Sequence, residues 1–541
     1  MYIKSTHALV FACFAWVSYC GNIPLEYNYH EFCNNKESDM SYTLDTARDS
    51  LMSLQRKMAA FNHAVESIWY DGATVAPKDT AENRAASLGI LSEEIYKLQT
   101  SSETVELLDF LDEHSEELSF DEKRMVQLLM KDLKEMRAIP MDEYVAYEEL
   151  IVRSEDVWHR AKEASDFVMF APLLEEVFAT AKRFSLYIEP DRDPYEQRLD
   201  DYEEGLTVAA CDAFFAKLRE RIVPLVAKVS AAPQVDDSLR FGEFPVKEQE
   251  ELAYYLMRTM GLDLGHVGLS TTEHPFTTNL GSHFDERITT HYHTDDFASS
   301  MYSVVHEGGH ALYDTGSEDG LAYTALDCGV SMGIHESQSR FYENIIGRSR
   351  AFCELVFPKI AELYPGQMAG HNAEELYHAV NKVQPSLIRT EADEVTYSLH
   401  VMIRYELEKR IFAGQLAIAD LPAEWNRLYK EYLGVDVPDD KHGVLQDSHW
   451  SSGLIGYFPS YALGNAYGAQ FLAKMRETVD VDACIAAGDF APINAWNREN
   501  IWRHGHRYTP AQLLDRIYGA PFDPEFYLTY LETKCHDIYG V

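Results

Sequence analysis

Positive charge is what this sequence lacks most. Only 47 lysines and arginines stand against 88 aspartates and glutamates over 541 residues, a formal net charge of −41. Proteins that bind phosphate backbones do so through clustered lysine and arginine, so nucleic acid is excluded as a partner. The acidity itself reads as a solvated, self-repelling surface. Long apolar runs are missing too. The best of them, ALVFACFAWV from Ala8 to Val17, is about half of the ~20 residues that a membrane-crossing helix requires, so no stable membrane anchor is expected.

Cysteine is sparse. Eight are present, three of them (Cys13, Cys20, Cys33) before residue 40, and the rest (Cys211, Cys328, Cys353, Cys484, Cys535) lie far apart with no metal-ligand spacing. They read as free thiols in a reducing compartment, not as a disulfide framework. The front of the chain allows two readings. Lys4, the apolar run and SYCG resemble a secretory signal, whereas amphipathic patterning begins abruptly at Met40, as expected of a cytoplasmic protein that starts there. Residues 1–40 are therefore set apart as an extension, and 41–541 are expected to form a single large domain.

No repeat, low-complexity tract or proline- and glycine-rich linker breaks up that domain, and strict alternation of apolar and polar residues is rare. Helical spacing dominates instead. Leu51, Leu54, Met58, Phe61, Val65 and Ile68 form one stripe three or four residues apart, and similar patterns follow to about residue 188. The best strand candidates are Ser238–Pro245 and Glu286–His293, and the acidic stretch Tyr187–Gly205 reads as a loop. The expectation is a mainly α, two-lobed fold with a cleft and little sheet.

Chemistry concentrates in MYSVVHEGGHALYDTG, residues 301–316. Histidines four apart on a helix share a face and can reach one metal ion, and Glu307 between His306 and His310 is placed to take a proton from the attacking water and pass it to a leaving amine. A hydrolytic site needs a third protein ligand. GIHESQSRFYENIIG (residues 333–347) supplies Glu336 or, in competition, His335, after the connecting stretch DTGSEDGLAYTALDCG. Zinc is the default ion, with cobalt accepted by the same nitrogen and oxygen donors. Gly308 and Gly309 interrupt the helix pattern at a cost of roughly 1 kcal/mol each. They are read as opening room beside the metal, with close packing of two helices as the other explanation.

Further motifs follow in order: HPF (274–276), DERIT (285–289), HEGGH (306–310), HESQ (335–338), IRTEAD (388–393) and GVLQDSHW (443–450). In this set the chain, from about Met40 to its end, resembles the carboxypeptidase Taq type of metallocarboxypeptidases. The resemblance implies a helical homodimer with a deep substrate groove and a small antiparallel sheet beside the HEXXH helix. It also implies release of single residues from peptides with a free C-terminus. His306, His310 and Glu336 would be the metal ligands, Glu307 the general base, and Arg389 the group that grips the terminal carboxylate. An internal salt bridge to Glu391 or Asp393 is the alternative use of Arg389. His449 with Tyr457 or Tyr461 would stabilise the oxyanion, and His274 and Arg287 would bind substrate. Residues 69–85 match the family pattern more loosely. Two rival readings remain: a metal-dependent oligopeptidase or endopeptidase, and a silent peptide binder that keeps the metal as a structural clip.

Overall fold

The structure is a computed structural model and describes residues 42–541. The signal-like run, Met40 and the first three cysteines lie outside the described residues. The remaining five cysteines are free; Cys211, Cys353 and Cys535 are buried. No helix among the described residues is long and apolar enough to cross a membrane.

The first helix, Leu44–Thr74, starts at Thr43, whose side chain and that of Thr46 cap each other's backbone. Leu51, Leu54, Met58 and Val65 of the expected stripe are buried. Leu51, Leu54 and Met58 pack with the helices Ser102–Glu113 and Phe120–Ala138 into an apolar cluster separate from the main core, and Val65 joins Ile95 in a small third one. The main core runs from Leu150 to Cys535. The main core and the first of these clusters form the expected two lobes. Leu321 and Leu326, from the loop that follows the HEGGH helix, belong to the smaller one.

The sheet is small, as expected, but mixed. Strand β1 (Val267–Thr271) runs parallel to β3 (Glu286–Thr290), and β2 (Thr277–Asn279) runs antiparallel to β3 on its other side. The antiparallel expectation thus holds for one pair only; β1 carries Gly268 and lacks the alternation that marks a strand. The β2–β3 turn needs Gly281 at φ +79°, where a Cβ would stand 2.7 Å from His63 Cβ. Ser238–Pro245 is not a strand. It is a short 3-10 turn followed by a single bridge from Phe241 to Asp296. The acidic stretch is not all loop either, because Asp193 caps a helix Pro194–Tyr202 with proline in its first turn. Buried Glu203, just beyond, accepts the Gly333 N–H at 2.9 Å and so caps the helix that carries Glu336.

The HEGGH helix spans Phe297–Thr315 and is followed by the Met332–Arg340 helix, which is wedged between it and a third helix, Phe458–Met475. The glycines make this wedge. A Cβ on Gly309 would meet the Gln338 carbonyl oxygen at 2.7 Å and Ser339 Cα at 2.8 Å; one on Gly464 would meet Glu336 Cβ at 2.5 Å. Gly308 faces only the tips of Met260 and Leu262, at 3.0 and 3.2 Å. Close helix packing, not room beside a metal, is therefore what the pair serves. Gly309→Ala is expected to cost about 1–3 kcal/mol through overpacking against backbone, and Gly308→Ala distinctly less, since side-chain tips can yield. Thermal melts of the two variants check the order.

Candidate active site

Asp296 starts the HEGGH helix by accepting the Ala298 N–H at 2.9 Å. Two turns on, His306 and His310 project from one face with ring centroids 5.0 Å apart. The Met332–Arg340 helix brings Glu336 to them, with His306 Nε2 3.8 Å from Glu336 Oε2. One ligand atom from each of the three lies within 4.8 Å of the others. His306 Nδ1 is 2.8 Å from Glu343 Oε2, and His310 Nδ1 is 2.9 Å from His335 Nδ1. With both Nδ1 atoms so committed, the Nε2 atoms are the nitrogens that a metal would take. Two imidazoles and one carboxylate fit a divalent cation.

Glu343 lies on a π-helical turn, Phe341–Ile346, that continues the Met332–Arg340 helix. Such turns shift the side chains beyond them relative to an α-helix and are frequent at functional sites. Glu343 also accepts from Arg340 at 2.9 Å and from Arg348 at 3.1 Å. Burial opposes its charge, but Arg340 and the bond from His306 hold its carboxyl far below the usual range. His335, the competing third ligand, spends both ring nitrogens on hydrogen bonds, the second to Asp314 Oδ1 at 3.1 Å. Glu307 is buried beside this set, and the Thr277 hydroxyl of β2 donates to its Oε2 at 2.6 Å.

Arg389 is buried, with Nε 3.0 Å from Asp447 Oδ1 and Nη1 donating to the Tyr397 hydroxyl at 2.8 Å. Its carboxylate partner is thus Asp447, neither Glu391 nor Asp393. Burial works against the Asp447 charge, yet Arg389 and Arg404 beside it keep the carboxyl far below its ordinary range. The Tyr461 ring lies 5.0 Å from the Arg389 guanidinium, and the Tyr461 hydroxyl is 3.2 Å from His449 Nε2. Burial, then Arg389, pulls the His449 imidazole down to about 3, so it is neutral at physiological pH. Tyr457 packs edge-on against Tyr461 with centroids 4.9 Å apart, its hydroxyl buried. Rings thus run in a line from Tyr202 through Tyr457 and Tyr461 to Arg389.

His274 and Arg287 lie outside this gathering. His274 is exposed, and Arg287 forms a two-pronged pair with Asp285 at 2.6 and 3.0 Å. Phe276 of HPF is buried against Trp69 of the first helix, 4.7 Å between centroids. Beyond Thr277, a cavity of about 310 Å³ opens between the lobes, with Glu66, Asp201 and Tyr202 in its wall. Burial pushes the Glu66 carboxyl up to about 7, against a hydrogen bond from Thr278. Residues that sequence reasoning did not single out are Thr277, Asp314, Arg340, Glu343 and Asp447. Asp314 had one available signal, its place a turn beyond His310, and Asp447 another, its place inside GVLQDSHW.

A helical fold that carries this donor set and a buried carboxylate defines a metallopeptidase. Comparison with known proteins narrows the class. The model of the carboxypeptidase Taq (M32) metallopeptidase family matches residues 50–535. Carboxypeptidase 1 of Bacillus subtilis (strain 168) is 40% identical over 498 residues, 92% of this chain and 99% of the relative. Thermostable carboxypeptidase 1 of Thermus thermophilus is 35% identical over 512 residues, 92% of this chain and all of the relative. The crystal structure of an M32 carboxypeptidase from Deinococcus radiodurans R1 is similar at a TM-score of 0.89 and 36% identity, covering 92% of this chain and 100% of that one. The chain belongs to the M32 family and is a metallocarboxypeptidase, a peptide hydrolase that uses a divalent metal. The resemblance in the six motifs is borne out at this level.

Proposed function

We propose that residues 41–541 act as one catalytic domain that removes single amino acids from peptide C-termini, with His306, His310 and Glu336 as ligands to zinc and Glu307 as general base. The observation that carries this reading is the convergence of the three ligand atoms within 4.8 Å, with Glu307 buried beside them. A divalent cation there supplies Lewis acidity toward the scissile carbonyl and lowers the pKa of water. Glu307, steadied by Thr277, takes the proton of the attacking water and returns it to the departing amine. Arg389 holds the substrate carboxylate with the N–H donors left over from Asp447 and Tyr397. His449 and the Tyr457 and Tyr461 hydroxyls act as neutral donors to the oxyanion. The edge strand β2 receives the upstream peptide backbone as an added strand, which leads it toward the cavity between the lobes.

Free cysteines support a reducing, cytoplasmic setting, and assembly as a homodimer rests on the family resemblance. Light scattering on the purified protein reads the assembly directly. The central test is mass spectrometry of an unblocked peptide and its C-terminally amidated twin, with and without a chelator. A ladder that shortens one residue at a time, from the free acid only, lost with chelator and restored by zinc, is the expected result. Internal fragments from both peptides support the endopeptidase reading instead, and intact peptides under all conditions support the silent binder.

A further inference from the structure

Resting on the reading of His306, His310 and Glu336 as ligands, we infer that His335 and Asp314 are positioning residues that fix the His310 imidazole for the metal through a two-step relay from histidine to histidine to carboxylate. The two ligand imidazoles are backed differently. His306 meets a carboxylate directly, at 2.8 Å, whereas His310 meets a second imidazole at 2.9 Å, and the carboxylate stands one step further away.

The tautomers follow from the two ends of the chain. With the His310 Nε2 lone pair given to a metal, the proton of His310 would sit on Nδ1 and be donated to His335 Nδ1. His335, accepting there, carries its own proton on Nε2, and that N–H faces Asp314 Oδ1 at 3.1 Å. These tautomers give every nitrogen of the relay a role. His335 is fully buried and Asp314 nearly so, so the relay is set away from bulk solvent. The bond from His335 is also the one side-chain hydrogen bond that Asp314 makes among the described residues, its Oδ2 having none. The main chain closes over the ring at Gly329, where a Cβ would stand 2.5 Å from His335 Cδ2, and the next residue, Val330, donates its N–H to the Tyr313 hydroxyl at 2.9 Å. Both ends of the relay lie on the HEGGH helix, and its middle member lies on the helix that carries Glu336. The relay therefore clips together the two helices that supply all three ligands.

The test is zinc affinity of the full chain, measured by competition with a chelator, together with the visible spectrum of the cobalt-loaded protein. His335→Phe keeps a ring but removes both nitrogens, and a zinc affinity lower by about 10–100-fold is expected, with an altered cobalt spectrum. Asp314→Asn keeps an acceptor without the charge and is expected to lose less. His335→Gln, which can accept from His310 and donate to Asp314, is expected to recover most of the affinity. Zinc affinity of folded His335→Phe within about twofold of wild type overturns the relay. Should that variant not fold, Asp314→Asn decides alone, and unchanged affinity with an unchanged cobalt spectrum overturns the proposal. A wild-type chain that binds no zinc, or Glu336→Ala binding it as tightly as wild type, instead removes the ligand set on which the relay rests.

Discussion

Glu307→Gln is expected to lower kcat by about 10²–10⁴-fold while the protein keeps its metal and its fold. The substitution is nearly isosteric, and the amide oxygen can still accept from the Thr277 hydroxyl, which lies 2.6 Å from Oε2. Glu307 is not among the three grouped donors, so metal content stays as in wild type. What is lost is the only group in this position that can take a proton and give it back. Metal analysis, a thermal melt and single-turnover kinetics on one preparation separate these terms. Activity within tenfold of wild type assigns the base to another residue, and loss of metal along with activity makes Glu307 a structural part of the site.

The second large effect is expected at Arg389. Arg389→Gln removes the guanidinium proposed to face the chain end, and kcat/KM for a free-acid peptide is expected to fall by about 10²–10³-fold, the scale of truncating one partner of a buried charge pair. The decisive quantity is a ratio. Wild type is expected to prefer the free acid to the amidated peptide, and the variant to lose most of that preference because the charge proposed to sense the carboxylate is gone. Arg389→Lys is expected to restore little, since an ammonium lacks the planar fork and cannot serve Asp447, Tyr397 and a ligand together. Asp447 keeps Arg404, whose Nε donates to it at 2.7 Å, so the variant retains a partner for that carboxylate. An unchanged acid-to-amide ratio moves carboxylate recognition away from Arg389.

Much of this enzyme can be read from local pattern, and the parts that cannot share a cause. The stripe through Leu51, Leu54, Met58 and Val65 announces its helix because burial on one face repeats every turn. HEGGH announces its proposed chemistry because two candidate ligands and a candidate base fit within five residues of helix. Glu343 is different. Its reach to His306 depends on a π turn that no periodicity signals, and Arg340 and Arg348, which hold it, acquire that role only once the turn has formed. Asp447 sits in a recognisable motif, yet its partners Arg389 and Arg404 come from 58 and 43 positions earlier, a distance only the folded chain closes. The two glycines mislead for a related reason. A side chain on Gly309 would answer to Gln338 and Ser339 of another helix and one on Gly308 to Met260 and Leu262, neighbours that the sequence around the pair does not identify.

The anchoring of Leu321 and Leu326 in the smaller apolar cluster has a mechanical consequence. These leucines belong to the stretch that spaces His310 from Glu336, and the Ala325 N–H in the same stretch donates to Gln55 of the first helix at 2.7 Å. On the proposed ligand set, a swing of the first helix away from the body would pull on the tether between the third metal-binding side chain and the other two. Access for a peptide and grip on the ion would in this way be geared to each other.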